Sequence, residues 1–270
     1  MNSVEFLKKL KDGERLFGTL ITSPSPKFFA AAAGVGIDSV FIDLEHFPTD
    51  WDQLKWMCSL CRALGLTTIV RISRPDPFEA CKVLDAGADG IVAAYIEKPE
   101  QVQQLRSAVK LRPLKGEKME DILTGKSKLE SDMESYVNSF NEGQILMINI
   151  ESVPAVKALD DLLNVTGLDG ILIGPHDLSC SLGIPEQYDH NLFEQTIKQI
   201  INKAKNKNIG IGIHNLPKTE QEIKYAEDGI NLIFHLADIS LFRNALYDDI
   251  SRIKKGLDEK FSGTRKDIII

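Results

Sequence analysis

The side chains best suited to chemistry in this chain lie where short apolar runs end. Glu151 follows the run Ile145–Ile150, and Asp177 follows the run 171–173 after the turn formed by Gly174 and Pro175. If both runs are neighbouring parallel strands, their carboxyl ends meet at one edge and bring the two carboxylates together. Carboxylate oxygens are ligands that Mg²⁺ and Mn²⁺ prefer, so these two residues form a candidate site for a hard cation.

Other polar side chains lie within or just after similar runs. Arg71 falls inside a third apolar run, where a buried guanidinium requires an anionic partner or ligand. A lone histidine is more often a hydrogen-bonded filler than a ligand, and that alternative is open for His214 and His235. The strand-end rule also selects Asp43, Glu45, His46, Asn149, His176, Ser179 and Asp238.

Each charged residue of this set also has a structural alternative. Glu151 could cap the helix that follows it, and Asp177 could be the N-cap of the turn that starts at Leu178. Arg71 could form a structural ion pair with Asp43 or Glu45. The convergence of all these side chains on one edge is better explained by a functional site than by independent structural roles.

The arrangement of apolar runs predicts the fold that would position these residues. Eight β-rich runs alternate with helical patterns, which is typical of a single α/β domain folded as a (β/α)₈ TIM barrel over residues 1–270. A short amphipathic helix precedes the first run. The predicted strands are 16–21, 39–44, 67–72, 90–96, 144–150, 169–173, 209–213 and 231–236. The predicted helices are 26–33, 50–64, 76–86, 99–111, 153–163, 191–207, 218–227 and 239–253.

Residues 111–130 interrupt the alternation between the fourth and fifth strands. They carry mixed charge with poor periodicity, and a short helical pattern follows at 131–140. We expect an irregular insertion, either a mobile lid over the catalytic face or a solvated loop. The final residues 266–270 end in three isoleucines, which favours packing against another helix or another subunit.

Composition excludes several classes of function. The formal net charge of −7 provides no basic face for DNA or RNA, so we expect no nucleic acid partner. We expect a cytoplasmic protein without a membrane partner, because the N-terminus lacks a signal-peptide pattern and the apolar stretch 28–37 is too short to cross a bilayer. Cys58 and Cys61 have the CxxC spacing, but they fall inside a helical pattern that predicts core packing rather than a redox pair.

Four blocks of this sequence resemble the HpcH/HpaI aldolases, which are metal-dependent pyruvate aldolases related to the citrate lyase β-chain. The blocks are Asp43-Leu-Glu-His46, Val70-Arg71 with 82–88, Ile150-Glu151 with Ala155-Val156, and 168–179. They occur in the same order from about Gly18 to about Leu246. The resemblance implies reversible aldol cleavage of a 4-hydroxy-2-oxo acid to pyruvate and an aldehyde, with a divalent cation as cofactor.

The resemblance also assigns the metal half of the site and the quaternary structure. It implies that Glu151 and Asp177 are the only protein ligands of Mg²⁺ or Mn²⁺. Gly174 and neighbouring amides would hold the pyruvate carboxylate. It further implies a homo-oligomer, a hexamer or trimer of dimers, in which the last helix packs on a neighbouring barrel.

The same resemblance suggests three catalytic residues. Arg71 would stabilise the enolate oxygen, where negative charge accumulates as the C3–C4 bond breaks. His46 would be the general base for the C4 hydroxyl proton, and Asp85 would orient it. The substrate-binding set predicted in this way is Arg71, Asn149, Gly174, His176 and Asp177.

Several positions depart from the family pattern. The fourth strand has Ala94 where proline is usual, and Asn149 stands where glutamine is usual. His176 replaces a small residue, and we consider acceptor contact, metal ligation or a turn-stabilising role for it. An aromatic and proline-rich loop is reduced to a trace at 113–119. The half of the site that meets the aldehyde therefore differs from the family pattern.

Three other functions are alternatives to the aldolase interpretation. An acyl-coenzyme-A type carbon–carbon lyase of the same superfamily would be longer and carry a further coenzyme-binding segment. A catalytically inactive barrel could act as a binding subunit, although the retained Glu151, Asp177, Arg71 and His46 argue against it. A phosphate-binding isomerase barrel would need glycine-rich turns after the seventh and eighth strands, which this chain lacks.

Overall fold

The computed structural model describes residues 1–47 and 49–264. The strands are β1 Leu16–Leu20, β2 Ser39–Asp43, β3 Thr67–Ile72, β4 Gly90–Ala93, β5 Ile145–Ile150, β6 Gly170–Ile173, β7 Gly210–His214 and β8 Leu232–Ala237. The helices are α1 Ser3–Asp12, α2 Pro26–Gly34, α3 Trp51–Ala63, α4 Pro77–Asp85, α5 Pro99–Lys110, α6 Gly116–Leu123, α7 Ser131–Phe140, α8 Val153–Lys157, α9 Leu159–Leu163, α10 Pro175–Ser181, α11 Asn191–Lys205, α12 Thr219–Asp228 and α13 Asp238–Gly256.

The strands form a closed parallel barrel in sequence order, with β1 paired to both β2 and β8. The register against β8 shifts between Gly18 and Leu20. Helices follow the strands along the chain, so the predicted (β/α)₈ TIM barrel is confirmed. All strand C-termini therefore emerge at one end, which we call the mouth.

Two apolar layers stabilise the barrel. One fills the space between the strands and the surrounding helices, and it includes Val40, Ile148 and Phe193. The other fills the barrel interior and includes Phe41 and Leu172. Because both faces of the strands are covered, β2 to β6 consist entirely of buried residues. This explains why the sequence has continuous apolar runs rather than an alternating pattern.

Helix α1 closes the end of the barrel opposite the mouth. Its Phe6 and Leu10 belong to the interior apolar cluster. A Cβ atom at Gly210 would lie 2.3 Å from Leu10, and one at Gly212 would lie 2.7 Å from Leu172. Two glycines on β7 therefore make room for neighbouring leucines, and the next residue with the same inward parity is His214 at the mouth.

Two of the predicted segments differ in detail. The prediction of irregular structure across 111–130 was wrong at residues 116–123, where α6 forms. None of the residues in α6 is fully buried, and its apolar residues Met119, Ile122 and Leu123 form a stripe of less than two turns, too short to distinguish from irregular structure. The predicted helix 153–163 divides into α8 and α9 at Ala158. Residues 266–270, with their three isoleucines, lie outside the described residues.

The two CxxC cysteines pack inside α3. Cys58 and Cys61 are both buried, and desolvation by burial raises the pKa of Cys58 to about 12 and that of Cys61 to about 11. Thiols with such pKa values stay protonated near neutral pH and are poor nucleophiles. The predicted core packing of this pair is consistent with their positions.

Helix α13 carries exposed apolar side chains at helical spacing. They are Ile239, Phe242, Leu246, Ile250 and Ile253, followed by Leu257 at the C-cap, and we call these six residues the α13 stripe. The spacing of three and four residues puts them on one face of the helix. Within residues 1–47 and 49–264, no helix combines the length and the apolar character needed to cross a membrane.

Candidate active site

A cavity of about 700 Å³ opens at the mouth of the barrel. We call it the mouth cavity. Its lining includes His46, Arg71, Gly174, Asp177, His214 and Leu236, which come from the ends of five strands. The predicted catalytic-face residues from separate parts of the sequence therefore share one cavity.

Glu151 is fixed by two hydrogen bonds immediately after β5. The backbone N–H of Tyr95 donates to its Oε1 at 2.9 Å, and Asn149 Nδ2 donates to its Oε2 at 2.7 Å. The following helix is capped by Ser152, whose Oγ accepts from the Ala155 N–H at 3.2 Å. Glu151 is thus not the helix cap, and its carboxylate is held beside the mouth.

Asp177 lies in the first turn of α10 with an exposed side chain. The N-cap of α10 is Gly174, so Asp177 is not the capping residue that the structural alternative required. A Cβ atom at Gly174 would lie 3.2 Å from Oε2 of Glu151. Glycine at this position therefore allows the β6 end to approach Glu151 closely.

Three carboxylates concentrate negative charge at this side of the mouth. Burial raises the pKa of Glu151, and the charges of Asp177 and Glu45 raise it further. The hydrogen bond and charge of Glu45 raise the pKa of the Tyr95 hydroxyl, with smaller contributions from burial and from Glu151 and Asp177. Such mutual repulsion is relieved by a bound cation.

The donor set fits a divalent cation with few protein ligands. In the part of the chain that the structure describes, no group of three or more His, Cys, Asp or Glu side chains is arranged to hold a metal ion. The carboxylates of Glu151 and Asp177 would therefore be two hard oxygen donors, with water and substrate completing the coordination. Mg²⁺ and Mn²⁺ accept such an arrangement.

Arg71 forms a buried ion pair across β2 and β3. Its Nε lies 2.8 Å from Oδ1 of Asp43, its Nη2 lies 2.6 Å from Oδ2, and its Nε is also 3.2 Å from Oε2 of Glu45. Burial opposes ionisation of Asp43, but the hydrogen bonds and charge of Arg71 outweigh it and lower the pKa of that carboxyl group. The structural pair weighed from the sequence is therefore present, and it fixes a guanidinium that also lines the cavity.

His46 lines the mouth cavity, but Asp85 does not orient it within this chain. The nearest acidic partner of His46 is Glu45, whose Oε2 lies 3.8 Å from Nε2. Asp85 is the last residue of α4, its side chain is 76% exposed, and its Oδ1 accepts from Arg112 at 2.9 Å. The predicted contact between His46 and Asp85 is thus replaced by an Asp85–Arg112 pair on the outer helix layer.

The histidines at the ends of β7 and β8 have different environments. His235 Nδ1 lies 2.8 Å from Oε2 of Glu222, so its imidazole has a partner. His214 lines the mouth cavity, and its Nε2 is buried without a hydrogen-bond partner. The filler alternative therefore describes His235 and fails for His214. Asn149 likewise has a buried Oδ1 without a partner.

His176 lies on the rim of the cavity. Its Nδ1 is 3.5 Å from Oε1 of Glu186, and both side chains are at least half exposed. The Ser179 hydroxyl donates to the His176 carbonyl at 2.7 Å, which holds the turn around it. A contact between the His176 side chain and the aldehyde half of the substrate therefore stays a prediction.

Sequence reasoning missed two features of the site. Tyr95 follows β4 with a φ of 57° and donates its backbone N–H to Glu151, although the sequence gives no sign of this strained geometry. Lys218 and Gln221, near the start of α12, both contact Asp189 on the far side of the cavity. The sequence predicted only a helix over 218–227, because the loop that supplies Asp189 is distant in sequence.

Comparison with known proteins identifies the relatives of this chain. Residues 17–245 match the family model for HpcH/HpaI aldolase/citrate lyase. The 2-keto-3-deoxy-L-rhamnonate aldolase of Escherichia coli strain K12 is 28% identical over 260 residues, covering 93% of each chain.

Solved structures give a consistent result. The citrate synthase SbnG is 25% identical with a TM-score of 0.79, covering 94% of this chain and 98% of the other. An HpcH/HpaI aldolase from Desulfitobacterium hafniense DCB-2 is 24% identical with a TM-score of 0.78, covering 92% of this chain and 95% of the other, and shares the fold. Since the family model spans most of the barrel and the motif residues converge on its mouth, the resemblance is confirmed, and the chain belongs to the HpcH/HpaI aldolase/citrate lyase family.

Proposed function

We propose that this chain is a divalent-metal-dependent carbon–carbon lyase that reversibly cleaves a 4-hydroxy-2-oxo acid to pyruvate and an aldehyde. One observation carries the proposal. The carboxylates of Glu151 and Asp177 follow consecutive strands and share an electrostatic environment beside a cavity that Arg71 and His46 also line. The metal-dependent 2-oxo acid chemistry of the family requires a cation site, a fixed positive charge and a base in one place.

The metal half of the site is assigned to Glu151 and Asp177. A bound Mg²⁺ or Mn²⁺ would supply Lewis acidity towards the carboxylate and keto oxygens of a 2-oxo acid. Asn149 and the Tyr95 backbone orient Glu151 through their hydrogen bonds. Gly174 keeps the space beside that carboxylate open, and the amides at the start of α10 offer donors for the substrate carboxylate.

Arg71 and His46 are assigned to the bond-breaking step. His46 accepts the C4 hydroxyl proton, the C3–C4 bond breaks to release the aldehyde, and its electron pair moves towards the C2 keto oxygen. Arg71, held rigid by Asp43, presents positive charge where that negative charge develops. A solvent-derived proton adds to C3 to complete pyruvate, and His46 releases the hydroxyl proton to solvent, so atoms and charge balance.

The direct test measures pyruvate release from a panel of 4-hydroxy-2-oxo acids, with Mn²⁺ or Mg²⁺ and after chelation. We expect release that requires the cation and that Arg71→Met reduces strongly. A parent enzyme that releases no pyruvate from any member of the panel would contradict the proposal. The Arg112→Met variant is the matched control, because Arg112 lies outside the mouth and pairs with exposed Asp85.

The acyl-coenzyme-A alternative has its own arm in this experiment. The relative SbnG is a citrate synthase, so this fold also carries a reaction other than aldol cleavage. Oxaloacetate with acetyl-coenzyme A is therefore supplied in parallel, and consumption of the thioester without pyruvate chemistry would favour that alternative. A catalytically inactive binding subunit would be silent in both arms.

We also infer that the chain acts as a homo-oligomer in the cytoplasm. The α13 stripe exposes six large apolar side chains on one helix face, which a second copy of the chain could cover. The four cysteines are free, which suits a reducing compartment. Light scattering on the parent and on Phe242→Lys tests the assembly, with a shift of the variant to smaller species expected.

A further inference from the structure

His214 is the one polar residue on the inward face of β7. The inward positions below it are Gly210 and Gly212, which are filled by leucines from other elements. At the top of the strand, the imidazole reaches the mouth cavity beside Gly174, where a Cβ atom would lie 3.6 Å from Nε2 of His214. Its Nε2 therefore points towards the part of the cavity next to the proposed metal half.

This Nε2 atom is buried and has no hydrogen-bond partner in the described chain. A buried polar atom without a partner destabilises the fold, so its retention needs a reason. The neighbouring ring of Phe41, with centroids 5.7 Å apart, offers no acceptor. Arg71 is engaged by Asp43 through two hydrogen bonds. A ligand in the cavity is the partner that the geometry leaves open.

The imidazole is neutral in this environment. Burial, with a smaller effect from the positive charge of Arg71, lowers the pKa of His214 to about 3. A neutral imidazole offers one N–H donor and one acceptor nitrogen, and a hydroxyl group can pair with either. It offers no charge to attract a carboxylate.

The far wall of the cavity has balanced charge. We define it as Glu186, Asp189, Lys218, Gln221 and Arg243. Asp189 accepts from Lys218 at 2.7 Å and from Gln221 at 2.6 Å, so the charge of Lys218 is compensated. The wall contains two acidic and two basic side chains, which favours a polar neutral group over an anionic one.

We propose that His214 and the far wall form the subsite for the aldehyde half of the substrate, and that His214 Nε2 hydrogen-bonds a hydroxyl group next to the aldehyde carbon. His214 is thus a specificity-determining residue that favours hydroxylated aldehydes over apolar aldehydes of the same size. This inference rests on the proposed aldolase function, since it names the acceptor class of the same site.

The test compares two acceptors of nearly equal size in the condensation with pyruvate. Glycolaldehyde carries the hydroxyl group, and propanal has a methyl group in its place. Their intrinsic reactivities differ, but every variant shares that difference, so the ratio of the two kcat/KM values is compared between variants. In His214→Leu we expect this ratio to fall roughly 10-fold, the effect of losing one hydrogen bond to a neutral group.

Further variants separate hydrogen bonding from packing. His214→Gln keeps an amide donor and acceptor and is expected to recover part of the ratio. His235→Gln is the matched control, because that histidine lies on the neighbouring strand β8, one residue beyond the register partner of His214, and is already paired with Glu222. His214→Ala, which only removes atoms, provides the same readout if His214→Leu does not fold.

Three outcomes would overturn the subsite. An unchanged ratio in both His214→Leu and His214→Ala would remove His214 from acceptor recognition. If the ratio changes in His176→Ala but not in the His214 variants, the aldehyde is recognised by His176 on the rim of the cavity instead. Glyoxylate, which carries a carboxylate, is added as a third acceptor, and a loss of kcat/KM in His214→Leu that is confined to glyoxylate would mean an anionic acceptor. Manganese-dependent exchange of pyruvate methyl protons with deuterated water is measured first, because its absence in the parent rejects the aldolase proposal instead.

Discussion

Buried carboxylates are compensated to different extents at the two ends of the barrel. At the closed end, Asp169 is 1% exposed and is compensated by Lys11 at 2.7 Å, by Lys110 at 2.5 Å and by the backbone N–H of Leu146 at 2.9 Å. Burial lowers the pKa of Lys110, but the charge of Asp169 acts against that effect. This arrangement joins α1 and α5 to the strand layer and has the character of a structural ion cluster.

At the mouth, the carboxylates outnumber their cations. The charges of Glu45 and Asp177 raise the pKa of Glu151. Arg71 donates two hydrogen bonds to Asp43, so its positive charge is compensated mainly by that carboxylate. Asn149 and His214 each keep a buried polar atom without a partner. The difference indicates that the closed end is optimised for stability, whereas the mouth retains unsatisfied groups that a cation and a substrate would satisfy.

The largest expected effect comes from removing the proposed metal ligands at the mouth. Glu151→Ala and Asp177→Ala should each abolish tight Mn²⁺ binding and reduce kcat/KM by at least about 10³, since each removes half of the proposed ligand charge. Folding should survive, because each variant relieves repulsion between carboxylates. Titration calorimetry with Mn²⁺ measures the first effect, and parent-like affinity in both variants would disprove the ligand assignment.

The second effect concerns the base at the mouth. His46→Ala should slow aldol cleavage by roughly two to four orders of magnitude, because no other group replaces it in accepting the C4 hydroxyl proton. Exchange of pyruvate methyl protons with deuterated water should remain partly intact. If cleavage and exchange fell by the same factor, His46 would belong to pyruvate binding.

The third effect tests the closed end. Asp169→Asn leaves Lys110 without its buried partner and should lower the free energy of unfolding by about 3 kcal/mol, with Mn²⁺ affinity unchanged. Asp160→Asn is the control: its 65% exposed side chain pairs with Lys203 at 2.7 Å, and its loss should cost less than about 1 kcal/mol. Urea unfolding measures both. A loss of metal affinity in Asp169→Asn would show that the two ends are coupled.

The smallest effect is the pH dependence that His214 contributes to stability. Its pKa is about 3 in the folded chain, compared with 6.5 as the ordinary value, so the unfolded state binds more protons between these pH values. The contribution of His214 to the free energy of unfolding is fully present above pH 6.5. It is lost as the pH falls, by no more than about 1.4 kcal/mol per pH unit. Unfolding free energies at pH 5 and 7 should differ less in His214→Leu than in the parent. Equal differences would indicate that the folded imidazole titrates normally.

Asp43 contributes to stability in a separate pH range. Because its pKa is lowered in the folded chain, its stabilising contribution is lost only as the pH falls below its ordinary pKa of 3.8.

The sequence by itself determined the barrel and the end at which its polar residues gather. Strands such as Thr67–Ile72 and helices such as Pro99–Lys110 agree with the predicted spans within one or two residues. This succeeded because strands buried on both faces and helices with one buried face leave distinct apolar patterns. The residues after those patterns, including Glu151 and Asp177, then followed from the common direction of parallel strands.

Tertiary structure alone decided which polar groups are partners. His214 and His235 look equivalent in sequence, yet only His235 meets a carboxylate, because Glu222 on α12 packs towards β8. Asp85 and His46 are separated because α4 directs Asp85 to Arg112 on the outer layer. Helix α6 has no fully buried residue, and its eight residues carry only three apolar side chains, too short a pattern to predict the helix. Apolar periodicity reports how an element is buried, whereas pairing depends on register and on contacts between residues far apart in the chain, which no local pattern encodes.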